Sequence, residues 1–197
     1  MPKTGLTSEQ IKERALECTI ARMRKYGFEK VRLSEIAKDL GVSHAALYSH
    51  FADKAALFDA VSERWLIDLD KKLEAISNDN STEPLAKISK WFLELHRAKC
   101  TKVCTDPELF KAFNYSAQIE KQFVQNHLQN MNRQLNNLAA QAVKNGQIKG
   151  DAANIASMLF EATIAFHHPI IVALHANENR EPMLKNVLKT LFDGLRN

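Results

Sequence analysis

Glycine, proline and cysteine are scarce in this chain of 197 residues, with six, five and three copies. With so few breakers, apolar residues recur at helical spacing almost everywhere, and the chain reads as all-α with no convincing strand. Cys18, Cys100 and Cys104 are too few and too oddly numbered for a disulfide framework and read as free thiols. No apolar run approaches the roughly 20 residues that span a bilayer, and the first residues lack the apolar core of a signal peptide; a cytoplasmic protein without a membrane partner is expected. There is no phosphate-binding glycine loop, no nucleophile beside a base and no paired carboxylate motif. No enzyme activity and no cofactor are therefore expected.

What is present is charge and helical periodicity. Lys and Arg number 27 against 23 Asp and Glu, a formal net charge of +4 that permits an anionic partner without demanding one. Its distribution says more: between Arg22 and Lys38 lie Arg22, Arg24, Lys25, Lys30, Arg32 and Lys38 against only Glu29 and Glu35, a positive stripe.

Caps and breakers predict helices over about 8–26, 34–40, 43–51 and 53–77. The polar run SNDNSTE at 77–83 is the one clear linker, and Pro84 suits a first helical turn. Further helices are expected over about 84–103, 107–113 and 117–145, then a single long one over 151–176 kinked at Pro169, and a last over 180–195.

The stretch LGVSHAALYSHF at 40–51 has the pattern of a helix-turn-helix. Ala37 is the small residue that lets two short helices approach, and Ile36, Leu40, Val42, Leu47 and Phe51 form the packing set. Ser43 is the expected cap, and His44, Tyr48, Ser49 and His50 are left for the outer side of the second helix, where base-reading groups sit.

The run VRLSEIAKDLGVSHAALYSHFADKAALFDAV resembles the DNA-binding domain of the TetR family of bacterial transcriptional regulators, above all in IA..LGVS...LY.HF..K..L. The resemblance covers about residues 8–60; beyond it only chain length and helix count agree. It implies a three-helix DNA-binding domain over 1–52 and a larger helical effector-binding and dimerisation domain over 53–197, about nine helices in all. By the same resemblance His44, Ala45 and Ala46 face base edges, while Tyr48, His50 and Lys54 touch phosphates, Tyr48 also lying against a thymine methyl. Ser43 and Ser49 flank them. The family places threonines where this chain has Arg32 and Leu33, so Ser34 is expected to take over the helix cap and Arg32 to supply a charged phosphate contact. The implied partners are a double-stranded operator, a small-molecule effector of unknown identity and a second copy of the chain, and the implied activity is repression.

Three other constellations remain open. His96, Cys100 and Cys104 repeat every four residues, a stripe for metal or oxidant sensing or simply for packing. His167 and His168 precede Pro169, as effector contacts or as structural histidines. Trp91, Phe92, Phe110, Phe113, Tyr115, Phe123, Met131 and Phe166, with His127 and Asn114, are enough to wall an apolar cavity, although such stripes are core first. The residues chosen for effector binding are Trp91, Phe113, His127, Met131, Phe166 and His167. Met158, Leu159, Ala162, Ala165 and Phe166, with Leu184, Val187, Leu188, Leu191, Phe192 and Leu195, give the last two helices faces wide enough for a two-fold interface. The rivals are a helical metal-binding protein or enzyme, and a DNA-binding protein whose larger domain serves only assembly.

Overall fold

The computed structural model describes residues 5–118 and 121–196, apart from the side chains at 116–118. Among the described residues are ten α-helices and no strand: α1 Ser8–Tyr26, α2 Leu33–Leu40, α3 His44–Tyr48, α4 Lys54–Ser77, α5 Pro84–Thr105, α6 Pro107–Gln118, α7 Gln122–Lys144, α8 Ala152–Ala162, α9 Pro169–Leu174 and α10 Glu181–Arg196. Local chemistry sets many of these boundaries. Thr7 and Gln10 form a reciprocal capping box on α1, and the side chains of Ser43, Asp53 and Asp151 accept from backbone N–H groups three residues on, at 3.1, 2.7 and 2.9 Å.

The chain forms two compact units, one from the residues up to Trp65 with 106–121, the other from 66–105 with 122–197. α4 contributes to both, and α6 packs with α1 in the first. The first unit buries Met23, Ile36, Ala37, Leu47, Phe51, Leu57, Leu109 and Ala112 in one cluster, with Leu40 and Val42 packed at its margin. In the second, α5, α7, α8 and α10 bury Ile88, Trp91, Leu95, Met131, Leu138, Leu159, Leu184 and Leu188.

Four local expectations change. The helix expected over 151–176 is broken into α8, a 3-10 turn at Ile164–Phe166 and α9. Thr163 Oγ1 turns back onto the Leu159 carbonyl at 2.8 Å where α8 ends, and Pro169 opens a new helix instead of kinking an old one. α3 stops at Tyr48 rather than Phe51, and Ser49 Oγ donates to the Ala46 carbonyl at 2.8 Å. α6 runs on through Ala117, where the next helix was expected to begin; that helix, α7, starts at Gln122, and residues 119 and 120 of the expected span lie outside the described residues. Ser34 is not the cap of α2: Arg32 holds that position without a side-chain cap bond.

Candidate nucleic-acid interface

α2 and α3 are held at a fixed angle by their turn. Gly41 adopts a left-handed conformation, φ 66°, and its N–H closes onto α2 carbonyls while Val42 N–H bonds the Ala37 carbonyl at 3.0 Å. Leu47 is fully buried beneath α3, and this side anchors the helix. The opposite side carries His44, Ala45, Tyr48 and Ser49, all exposed, with Ala46 and His50 half-buried beside them. The His44 and Tyr48 rings touch in a tilted arrangement, 4.5 Å between centroids and one turn apart, so each limits the other's rotamers. Ser43 caps α3 and is itself exposed.

The basic stripe divides in two. Arg22 binds Asp39 at 2.6 Å and Glu35 at 2.8 Å, tying α1 to α2, and this pairing holds the Asp39 carboxyl below its usual range. Arg24 clamps the buried Asp106 carboxylate through two bonds of 2.7 and 2.5 Å. These two arginines serve the fold. Lys25, Lys30, Arg32 and Lys38 stay exposed, as does Ser34. Lys54 is half-buried at the start of α4, with Nζ donating to the Glu29 carbonyl at 2.7 Å and lying 5.1 Å from the Phe58 ring centre; burial lowers its pKa.

The six residues expected to meet an effector divide by unit. Phe113 belongs to the first, edge-on to Trp65 at 4.8 Å. Trp91, His127, Met131, Phe166 and His167 are buried in the second. There Trp91 Nε1 donates to Gln134 at 2.7 Å, and the Glu74 carboxylate accepts from Gln134 at 2.7 Å and from Arg133 at 2.8 Å. His127 Nδ1 meets Asp70, which also accepts from Asn130 at 2.9 Å. His167 Nε2 lies 3.0 Å from the Phe160 carbonyl, and burial, followed by the Lys99 charge, pushes its pKa down to about 4.

The metal-sensing alternative gains no support. His96 Nδ1 is 2.8 Å from the Phe166 carbonyl, whereas Cys104 Sγ turns to the Ala176 carbonyl at 3.5 Å. Burial pushes the Cys100 thiol up, the opposite of a reactive thiolate. Among the described residues no three His, Cys, Asp or Glu side chains gather as metal ligands.

Sequence reasoning missed Lys99, whose ammonium is buried and donates to the His167 carbonyl at 2.6 Å. The signal was available: Ile88, Phe92, Leu95 and Lys99 fall on one helical stripe, so a lysine occupies a core position.

Residues 16–61 match the family model of bacterial regulatory proteins of the tetR family, and residues 84–188 match that of the tetracyclin repressor-like C-terminal domain. The chain belongs to the TetR family. Among its relatives, the uncharacterized HTH-type transcriptional regulator YerO of Bacillus subtilis is 32% identical over 79 residues, 40% of this chain and 27% of YerO. The chain spans less than half the length of the curated relatives it matches. SmeT, the repressor of the Stenotrophomonas maltophilia multidrug efflux pump SmeDEF, shares the fold with a TM-score of 0.66 at 19% identity, over 97% of this chain and 91% of that one. FadR of Thermus thermophilus, a transcriptional repressor solved with lauroyl-CoA, does so with a TM-score of 0.64 at 15% identity, over 93% and 94%. The TetR family is one of regulators, not of enzymes, and no described helix of this TetR-family chain is long and apolar enough to cross a membrane.

Proposed function

We propose that this TetR-family protein is a cytoplasmic, homodimeric repressor that binds a palindromic operator and is released by a small-molecule effector. The observation that carries the reading is the two-sided α3, anchored by Leu47 and presenting His44, Ala45, Tyr48 and Ser49 to solvent. In this reading DNA binding resides in residues 1–52, with effector binding and dimerisation in 53–197. His44, Ala45 and Ala46 read base edges; Arg32, Ser34, Ser43, Tyr48, Ser49, His50 and Lys54 position the helix on phosphates and sugars. Short side chains at 45 and 46 allow close approach and apolar contact with thymine methyls.

Trp91, His127, Met131, Phe166 and His167, all in the second unit, serve the effector site; Phe113 belongs to the first unit and is not assigned to it. Repression by SmeT and the lauroyl-CoA complex of FadR support a repressor and an effector here. Dimerisation follows from operator geometry, since two recognition helices must stand about 34–36 Å apart or a multiple of that. Met158, Leu174 and Met183 are exposed apolar side chains on α8, α9 and α10 that a second copy would cover. An effector acts only through its differential affinity for the DNA-competent and released states, and α4, common to both units, is the covalent route for that coupling.

The test is a gel shift with the DNA flanking the protein's own gene, run across a salt series. A discrete complex that resists random competitor DNA is expected, with affinity falling steeply as salt rises. Equal competition by random DNA at low salt overturns the reading.

A further inference from the structure

The second unit holds a buried positive charge that the fold does not neutralise. Lys99 on α5 is only 3% exposed, and its ammonium has the His167 carbonyl as its acceptor at 2.6 Å. No ion pair joins it to a carboxylate among the described residues. The acids of the region are committed elsewhere, Asp70 to His127 and Asn130, Glu74 to Arg133 and Gln134.

Nor do the histidines compete as cations. Burial pushes both His127 and His167 down and keeps them neutral, whereas the Lys99 ammonium, lowered by burial to about 8, stays charged at neutral pH. With its Nδ1 proton turned to Asp70, His127 leaves Nε2 buried and without a partner among the described residues. A charged lysine with one neutral acceptor in an apolar interior is costly, and fold stability gives no reason to retain it. Aromatic rings flank the residue whose carbonyl Lys99 binds: Phe160 and Phe92 lie 4.4 and 6.4 Å from the His167 ring.

We propose that Lys99 is the counter-ion of the effector, which is a monocarboxylate with an apolar body: its carboxylate pairs with the ammonium, its body lies among Phe92, Phe160 and Trp91, and His127 Nε2 accepts from any hydroxyl it carries. At Lys99 a single positive charge stands without a carboxylate, so a monocarboxylate fits there where a phosphate dianion would leave charge uncompensated; the unit's other buried lysine, Lys87, has two acceptors, the Ser77 carbonyl at 3.2 Å and Gln141 at 2.9 Å. This assignment rests on the effector-responsive reading above and names the chemical class of ligand.

Thermal-shift titration of the full chain with butyrate through dodecanoate and with benzoate, against the corresponding primary alcohols and inorganic phosphate, tests it. At least one carboxylate is expected to raise Tm saturably and to bind about tenfold or more tightly than its alcohol, with phosphate inert. Lys99→Met, which keeps an unbranched apolar stem and should fold, is expected to lose that preference. Equal binding of carboxylate and alcohol, no carboxylate binding up to about 10 mM, or full retention in Lys99→Met overturns the proposal. Should Lys99→Met fail to fold, the 13Cε resonance of Lys99 in the wild-type protein decides: a saturable shift with the carboxylate but not the alcohol supports it, and no shift overturns it. The operator gel shift run on the same samples separates the two readings. A protein that binds carboxylate but no specific DNA overturns the repressor, whereas specific DNA released by the alcohols alone overturns the carboxylate.

Discussion

At the scale of single residues, exposure separates the two tasks that α3 combines. Leu47 is inaccessible, whereas Tyr48 beside it is 41% exposed. A phosphate contact contributes the same on any sequence, while a base contact carries preference. Tyr48→Ala is therefore expected to weaken specific and random DNA by similar factors, and His44→Ala to lower specific affinity by about 1–3 kcal/mol while relaxing preference at one base pair. Competition gel shifts with single-base operator variants check both; an equal loss on all sequences for His44→Ala would remove it from the base-reading set. Because the two rings are in contact, the double variant should deviate from additivity.

At the scale of elements, boundaries were legible wherever a side chain caps its own helix. Ser43, Asp53 and Asp151 announce α3, α4 and α8 in the sequence because the cap lies within three residues of what it bonds. The break after α8 was not, because Pro169 is compatible with a kink or with a first turn, and only the Thr163 back-bond and the fold around it choose. The packing set of the helix-turn-helix could be written down in advance, since period and small residues determine it. The use of Arg22 and Arg24 could not, because their acids lie 13 to 82 residues away in sequence. Arg24 joins α1 to the residue that precedes α6 by a two-pronged bond to a carboxylate only 6% exposed. Arg24→Met should destabilise the first unit by roughly 1–2 kcal/mol, reduced from a fully buried pair because the arginine is itself half in water. Urea unfolding checks this, with an unchanged midpoint as the contrary result.

At the scale of the whole molecule, the buried histidines make stability depend on pH in a fixed direction. The folded-state pKa of His167, about 4, lies below its ordinary 6.5, so the unfolded chain takes up the proton first as pH falls. The contribution is complete above pH 6.5 and is lost progressively between about 6.5 and 4, amounting to roughly 3 kcal/mol over that window. His167→Gln preserves an N–H for the Phe160 carbonyl and removes the titration, so its Tm should fall less steeply over the same range; parallel curves for the two proteins would refute the assignment.

Leu174 is 74% and Met183 56% exposed, large apolar side chains on α9 and α10 that are left uncovered by the described residues. A two-fold axis through this face would bury each against its copy, so one substitution acts twice per dimer. Leu174→Asp should leave the thermal transition of the fold in place and shift sedimentation from dimer toward monomer. Half-sites are read in pairs, so the monomeric variant should also lose most of its affinity for a palindromic operator while binding random DNA almost as before. A variant that remained dimeric, with operator affinity intact, would move the interface away from α9 and α10.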